Sequence, residues 1–233
     1  MNNIEELSQR ILFEDNHLII INKRVGEIVQ GDKTGDEPLS ELVKRYIKVT
    51  RNKPGDVYLG VTHRIDRPTS GLVIFAKTSK ALSRMNVMFQ DREIKKYYWA
   101  IVKIDPPSDE GTLTHYLKKN QTKNKAMIFK RPEPGAKKAV LHYRVISRSE
   151  NYLLLEVDLE TGRHHQIRAQ LSAIGCPIKG DLKYGFPRSN PDAGISLHAR
   201  GVHFTHPVSG EVIDLVAPLP KDALWSALER NVE

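Results

Sequence analysis

Cysteine is almost absent from this chain, which has one, Cys176, among 233 residues. An intramolecular disulfide is therefore impossible, and zinc sites built from several cysteines are excluded. Cys176 lies in the apolar stretch Ile174–Ile178. This context favours an inert, buried thiol over a reactive nucleophile.

Long apolar runs and cofactor motifs are missing as well. No apolar run approaches the length of a membrane-spanning helix, and the start, Met1–Glu6, has neither the basic end nor the apolar core of a signal peptide. No glycine-rich phosphate loop or HExxH motif occurs, and the pairs His164–His165 and His203/His206 are too short and isolated for a metal site. We therefore expect a cytoplasmic protein without a metal or cofactor.

What the chain does have is an excess of positive charge. Lysine and arginine number 36 against 28 aspartates and glutamates, a formal net charge of +8. A basic balance favours a polyanionic partner, most commonly nucleic acid. An anionic membrane surface is a weaker reading, because the basic residues are scattered rather than gathered on one amphipathic helix. The net charge alone is equally compatible with a soluble basic protein that has no polyanionic partner.

Hydrophobic periodicity predicts many strands and a few helices. Alternating or β-branched runs predict strands, and apolar residues spaced by three and four predict helices. The pattern predicts an α+β fold with a largely antiparallel sheet, and the length suits one domain, or one domain with a small appendage. The segment from about 106 to 139 is polar, with patches that could pair as short strands. The predicted strands are 11–13, 18–21, 57–61, 72–76, 97–102, 153–157, 196–199, 202–205 and 212–216, and the predicted helices begin near 39, 79, 164 and 222.

One loop concentrates charge between two apolar runs. His63–Leu72 joins Val57–Val61 to Leu72–Ala76, and both runs read as buried strands. Within the loop, Asp66 lies between Arg64 and Arg67, and nearby positive charge keeps a carboxylate ionised. Loops held by rigid strands often carry function. A surface ion-pair cluster in a tight turn is the alternative.

Other residues with chemical potential lie on predicted regular elements. Arg168 lies beside the apolar stripe of the third helix, and a partly buried arginine usually has an acidic partner. Arg163 precedes that helix, where free N–H groups favour a phosphate, although a solvated arginine is an equal reading. Tyr98 alternates with Tyr97 and Trp99 on a strand. Such rings can stack on bases or simply fill a core.

The loop sequence H-R-I-D-R-P-T-S-G-L resembles the signature of the RluA family of RNA pseudouridine synthases, H-R-L-D-x-x-T-S-G. The similarity extends from about Ile11 to Pro220. Further segments resemble T-G-R-x-H-Q-[LI]-R, K-x-Y-x-A, G-D-x-x-Y-G and L-H-A of that family. These are Thr161–Arg168, Lys96–Ala100, Gly180–Gly185 and Leu197–Ala199.

The resemblance implies an enzyme that converts a specific uridine of ribosomal or transfer RNA to pseudouridine, on the pseudouridine synthase fold with its central RNA-binding cleft. Asp66 corresponds to the catalytic aspartate, Arg168 to its ion-pair partner and Tyr98 to the active-site tyrosine. Arg64 corresponds to the arginine that fills the gap left by the flipped base.

The same resemblance makes Arg64, Arg67, Arg163 and Lys96 candidate RNA contacts and requires no cofactor. A non-catalytic RNA-binding or ribosome-assembly protein with the same fold is the alternative. Charge and aromatic residues fit that alternative equally well, but a pure RNA binder has no need for a carboxylate that repels phosphate.

Two departures from the family pattern stand out. The family often reads N-K-P-x-G near its start, whereas this chain has Asn22–Gly26 as N-K-R-V-G, which puts the local loop shape in doubt. Only about 10 residues precede the first predicted strand, so we expect no S4 RNA-binding module ahead of the catalytic domain. Target recognition then falls to the catalytic domain or to a partner. The sequence predicts no protein partner, and a monomer is compatible with it.

Overall fold

The computed structural model describes residues 3–32 and 35–232. The chain forms two compact units. Unit 1 comprises Met1–Lys95 and Ala199–Pro218, and unit 2 comprises Lys96–His198 and Leu219–Glu233. The prediction of a single catalytic domain stays a prediction.

The described residues include five helices and eleven strands, and the pairs β1–β2, β2–β4, β3–β4, β10–β11, β5–β9, β9–β8, β8–β6 and β6–β7 are antiparallel. The predicted α+β class is therefore confirmed. A short 3₁₀ turn at Leu182–Tyr184 adds to these elements. In chain order they are α1 (Asn3–Ser8), β1 (Ile11–Glu14), β2 (Leu18–Lys23), α2 (Leu39–Thr50), β3 (Gly60–Val61), β4 (Ser70–Ala76), α3 (Ser79–Gln90), β5 (Lys95–Val102), β6 (Glu110–Asn120), β7 (Lys125–Phe129), β8 (Lys137–Arg148), β9 (Leu153–Leu159), α4 (Gln166–Ala173), β10 (Leu197–Thr205), β11 (Val212–Val216) and α5 (Ala223–Glu229).

Unit 1 is built on two strands buried along most of their length. β2 pairs with β4 from Leu18 opposite Ala76 to Lys23 opposite Gly71, and every residue of β4 is buried. Continuous β-branched runs of this kind are typical of strands covered on both faces. The predicted strands at 11–13 and 18–21 are confirmed and form a hairpin, and the predicted helix near 79 is confirmed and capped by Thr78, whose hydroxyl accepts a hydrogen bond from the Ala81 amide.

The predicted strand at 57–61 is wrong over most of its length. Only Gly60 and Val61 pair with β4, and the side chain of Tyr58 is 47% exposed. The segment follows a bend at Pro54–Gly55 and meets β4 only at its end. Apolar composition without a pairing partner does not make a strand. The N-terminal helix α1, in turn, was not predicted.

Unit 2 holds an antiparallel sheet with strand order β5-β9-β8-β6-β7. Two tryptophans, Trp99 of β5 and Trp225 of α5, share one buried cluster with Ile101, Leu154 and Leu228. The helix near the C-terminus is confirmed, and Asp222 caps it by accepting from the Leu224 and Trp225 amides.

The strands in the polar segment are much longer than predicted. β6 spans 11 residues and β8 spans 12. Half-buried and exposed positions alternate along the first half of β6, as in a strand with one face towards solvent. Lysine and threonine on the exposed face hide this alternation from a count of apolar residues. The two predicted strands at 196–199 and 202–205 form the single strand β10, since Arg200 and Gly201 interrupt the apolar pattern but not the extended backbone.

Helix α4 is buried all round instead of along one stripe. All six residues from Gln166 to Leu171 are buried, whereas Ile174 of the predicted stripe is only half-buried. The helix begins after His165 and closes at Gly175, whose left-handed φ of +86° is typical of a glycine that follows a helix. Across residues 3–32 and 35–232, no helix combines the length and the apolar character that crossing a bilayer requires.

Candidate active site

The loop that carries Asp66 is pinned at both ends. The Thr69 amide donates to the Asp66 carbonyl at 3.0 Å, and β4 begins at the next residue. Nε2 of His63 accepts the Ile74 amide at 3.1 Å. Gly71 has φ +112°, and a Cβ there would lie 2.3 Å from the Ala199 carbonyl oxygen. These contacts explain why the loop needs histidine before, and glycine after, its half-buried aspartate.

A buried lysine lies beneath this loop, and sequence reasoning missed it. Lys23 is only 1% exposed, and its Nζ donates to the carbonyls of Arg24 and Glu27 at 2.8 Å and of Arg67 at 3.2 Å. Three N–H groups thus meet three acceptors, the full capacity of an ammonium group. Burial lowers the pKa of Lys23 to about 8, while the carboxylates of Glu27 and Asp66 oppose this shift. The side chain therefore stays protonated at neutral pH.

The Asn22–Gly26 segment, where the chain departs from the family pattern, docks directly against the signature loop. Gly26 adopts φ +85°, and its amide donates to the Arg67 carbonyl at 2.9 Å. The carbonyl next to Asp66 along the chain therefore accepts from both Lys23 and Gly26. The loop shape that the missing proline put in doubt is fixed by these hydrogen bonds. A lysine at a strand end carries no sequence signal of burial.

Replacing Lys23 with methionine is expected to lower the free energy of unfolding by about 3 kcal/mol, since three carbonyls lose their donor at about 1 kcal/mol each. Urea unfolding measures this. Lys44→Met is the control, because Lys44 forms only a surface pair with Glu41 and such pairs contribute little. Equal losses for the two variants would show that the buried ammonium group does not hold the loop.

The arginines on either side of Asp66 have different surroundings. Arg64 is exposed, as an RNA contact requires. Arg67 donates to Oδ2 of Asp36 at 2.6 Å, and both side chains are about half exposed. Exposed pairs are weak and screened by salt, so a phosphate can compete for Arg67. The RNA-binding roles of both arginines stay predictions.

In unit 2, β5 presents its aromatic residues on alternate faces. Tyr98 is buried and lies opposite Val157 of β9. Tyr97 packs against the cluster that contains Trp99, so its ring fills part of the core. Burial lowers the pKa of the half-buried Lys96 to about 8. The roles of Tyr98 and Lys96 with a substrate stay predictions.

Arg168 has a buried acidic partner that sequence reasoning did not identify. Its Nε and Nη2 donate to Oδ2 and Oδ1 of Asp181 at 2.7 and 2.9 Å, and the two side chains are 5% and 1% exposed. The preceding Gly180 has φ +87°, and a Cβ there would lie 2.7 Å from the Gly194 carbonyl oxygen. The close approach at Gly180 and the ion pair of Asp181 explain the G-D pair of the G-D-x-x-Y-G motif.

The bidentate pair occupies one edge of the guanidinium. A guanidinium has five N–H donors in a planar fork, so the edge formed by Nη1 and Nη2 points away from Asp181. An acidic partner for Arg168 was expected from burial, and the resemblance assigned that role to Asp66. Asp66 belongs to unit 1 and Arg168 to unit 2. Their pairing stays a prediction.

Arg163 lies at the predicted phosphate position, but its amide is already engaged. Oε1 of Gln166 accepts from the Arg163 amide at 2.9 Å and from the Thr161 hydroxyl at 2.8 Å. Nε of the exposed Arg163 side chain donates to the Lys138 carbonyl. The Gln166 side chain thus satisfies the Arg163 amide just ahead of α4. Phosphate binding by Arg163 stays a prediction that now rests on its guanidinium.

His165 precedes α4 in a left-handed conformation, with φ +53°. Burial lowers its pKa to about 2, and the charge of Arg168 adds to the effect. Its Nδ1 lies 3.0 Å from the Tyr184 hydroxyl. His165 is therefore a neutral, hydrogen-bonded imidazole beside the buried ion pair.

The depressed pKa of His165 gives a pH dependence of known sign. Between pH 6.5 and about 2 the unfolded chain binds a proton that the folded chain does not, so the free energy of unfolding falls as the pH is lowered. The contribution of one group reaches about 1.4 kcal/mol per pH unit. His165→Asn removes the titrating imidazole, so urea unfolding at pH 7, 6 and 5 is expected to show a shallower dependence of the unfolding free energy on pH. Asparagine is chosen because it tolerates the left-handed backbone conformation of this position. Parallel slopes would contradict the assignment.

Among residues 3–32 and 35–232, no group of three or more histidine, cysteine, aspartate or glutamate side chains is placed to hold a metal ion.

Comparison with known proteins agrees with the resemblance. Residues 17–173 match the family model described as RNA pseudouridylate synthase. An uncharacterised RNA pseudouridine synthase of Synechocystis is 36% identical over 213 residues, covering 90% of this chain and 65% of the relative. Ribosomal large subunit pseudouridine synthase D of Zymomonas mobilis is 33% identical over 231 residues, covering 95% and 72%. The chain thus spans roughly two thirds of the length of these relatives.

A solved structure supports the same assignment. The human protein RNA Pseudouridylate Synthase Domain Containing 4 matches with a TM-score of 0.78 and 26% identity, covering 94% of this chain and 91% of that one. The matched family region includes the Asp66 loop, Tyr98 and Arg168. The chain belongs to the RNA pseudouridylate synthase family.

Proposed function

We propose that this protein isomerises a uridine of structured RNA to pseudouridine. The bond from C1′ of the ribose to N1 of uracil breaks, the uracil rotates, and C5 bonds to C1′ while the C5 proton moves to solvent and N1 gains one. Atoms and electrons balance without an oxidant, reductant or cofactor. The observation that carries the proposal is Asp66 in its signature loop, held by the buried Lys23 and by the close approach at Gly71.

Each candidate residue has a distinct role in this proposal. Asp66 initiates cleavage of the glycosidic bond, and Arg168 pairs with it and orients it. Tyr98 contacts the uracil and assists loss of the C5 proton. Arg64 supports the flipped geometry, which costs a few kcal/mol, and Arg67, Lys96 and Arg163 bind the RNA backbone.

The Asp66 carboxylate favours an enzyme over a pure RNA binder. A carboxylate repels phosphate, so a protein that only binds RNA gains nothing from an aspartate in its binding loop. Here Asp66 is half-buried, and a buried lysine, Lys23, donates one of its three hydrogen bonds to the carbonyl of the next residue, Arg67. A buried, charged lysine placed against a loop that carries a carboxylate is the arrangement expected around a catalytic group.

We propose large-subunit ribosomal RNA as the substrate class, in the cytoplasm. The support is that matched relatives from Zymomonas mobilis and Pseudomonas aeruginosa carry the name ribosomal large subunit pseudouridine synthase D. The net charge of +8 fits a polyanionic substrate of this kind. Transfer RNA is the other outcome that the experiment distinguishes.

Mapping of pseudouridine in total RNA from cells with and without the gene tests both parts of the proposal. We expect at least one site in large-subunit ribosomal RNA to disappear on deletion and to return with the intact gene. Loss confined to transfer RNA would correct the substrate. A map that does not change, while the purified protein still binds RNA in a salt-dependent manner, would favour a non-catalytic RNA-binding protein.

A further inference from the structure

Tyr184 lies where four parts of unit 2 meet. It ends the 3₁₀ turn that follows Asp181, and its buried ring shares a cluster with Ala169 of α4 and with Leu117 and Ala126 of the β6–β7 hairpin. Its carbonyl accepts from the Ser172 hydroxyl at 2.7 Å, a second link to α4. No role for this tyrosine followed from the sequence beyond its place in a motif.

The ring of Tyr184 contacts the guanidinium of Arg168. Cζ of Arg168 lies 5.1 Å from the ring centroid, and Nζ of Lys125 lies 4.8 Å from the same centroid. Both distances fall within the range of cation–π attraction, which is strongest where the groups are desolvated. Arg168 is therefore held edge-on by Asp181 and against a ring by Tyr184.

The hydroxyl of Tyr184 joins two further elements. It accepts the Ala126 amide at 2.8 Å, and Nδ1 of His165 lies 3.0 Å away. The hydroxyl therefore hydrogen-bonds both the Ala126 amide and the His165 imidazole. His165 in turn sets the start of α4. One hydroxyl thus joins the helix that carries Arg168 to strand β7.

The hydrogen bond between the Ala126 amide and the Tyr184 hydroxyl attaches a basic hairpin, through strand β7, to the Arg168 cluster. β7 lies at the end of the unit 2 strand order, so alternate amides face away from β6. Ala126 uses such an amide to reach Tyr184. The hairpin that β7 completes carries four lysines, a surface suited to the RNA backbone. They are Lys118, Lys119, Lys123 and Lys125.

We infer that Tyr184 is a positioning residue for Arg168. Its ring orients the guanidinium, and its hydroxyl fixes the start of the helix that carries Arg168 relative to the basic β6–β7 hairpin. This inference rests on the proposed function, because Arg168 matters for turnover only in that reaction. Tyr184 does not touch the uridine in this account. Its effect on catalysis passes through Arg168.

The test compares Tyr184→Phe with Tyr143→Phe in the full-length protein. Both tyrosines are buried in unit 2, and the Tyr143 hydroxyl donates to the Ser108 carbonyl at 3.2 Å, outside the Arg168 cluster. We expect kcat to fall about tenfold in Tyr184→Phe, the effect of one lost hydrogen bond, with Kd for RNA within about twofold of wild type. Tyr143→Phe is expected to keep wild-type kcat. Turnover is expressed per molecule able to bind RNA, which removes any difference in folded fraction.

A second arm separates positioning from general stability. In an Arg168→Lys background, Tyr184→Phe is expected to add no further loss in single-turnover rate, since residues that act through one another are not additive. A full tenfold additional loss there, or wild-type kcat in Tyr184→Phe alone, would overturn the inference.

If Arg168→Lys does not fold, Tyr184→Ala replaces this arm. Loss of the ring is expected to lower kcat below that of Tyr184→Phe at unchanged Kd, and equal kcat values would overturn the inference. A wild-type protein without synthase activity would instead refute the proposed function on which the inference rests.

Discussion

Asp66→Asn is expected to lose pseudouridine formation by at least about a thousandfold, the scale seen when the group that initiates bond cleavage is removed. The amide has nearly the shape of the carboxylate, so the loop contacts made by its neighbours stay in place. RNA affinity is expected to be unchanged or higher, because a negative charge has been taken from an anion-binding protein. Single-turnover formation of pseudouridine and an RNA-binding titration measure the two effects.

Asp56→Asn is the matched control for this substitution. Asp56 is an exposed aspartate in unit 1, so the same change of charge there is expected to leave turnover intact. Retained turnover in Asp66→Asn would refute the role of Asp66. Weakened RNA binding in Asp66→Asn would argue that the carboxylate organises the loop and does not act on the uridine.

Asp181→Asn is expected to lower the free energy of unfolding by about 3 to 5 kcal/mol, the cost of leaving one partner of a buried ion pair without its counter-charge. The reason is the nearly complete burial of both partners, with two hydrogen bonds of 2.7 and 2.9 Å between them. Urea unfolding measures the loss. Asp105→Asn is the control, because the Asp105–Arg148 pair is exposed and is expected to contribute less than about 1 kcal/mol.

A double variant separates the structural from the catalytic use of Arg168. Replacing Asp181 with leucine and Arg168 with methionine removes both charges together, which in buried pairs is often neutral for stability. We expect the double variant to recover most of the unfolding free energy lost in Asp181→Asn and to form no pseudouridine. A stable double variant with normal turnover would show that Arg168 serves only the fold.

Much of the fold could be predicted from the sequence because its strands are continuous apolar runs. β2 and β4 are buried along their length, and a run of β-branched residues signals that directly. The predictions were wrong where pairing, and not composition, decides. Tyr58 lies in an apolar run of which only Gly60 and Val61 pair with another strand, whereas β6 is a long strand although threonine and lysine occupy its exposed positions.

The candidate site was predicted only as far as motifs reach. Asp66 and Arg168 follow from local patterns, and the burial of Arg168 correctly predicted an acidic partner. The identity of that partner, Asp181, depends on a turn 13 residues away. Lys23 could not be predicted as buried, because its three carbonyl acceptors come together only in the folded chain. Tertiary contacts decide which charged residues can be buried.

Release of tritium from RNA carrying uridine labelled at C5 tests the central claim most directly, since the C5–H bond must break when C5 joins the ribose. With the purified full-length protein and large-subunit ribosomal RNA, we expect tritium release to rise with time and to match the pseudouridine formed. Asp56→Asn is expected to behave as the wild type and Asp66→Asn to release none. RNA that binds the wild-type protein but keeps its tritium would contradict the account.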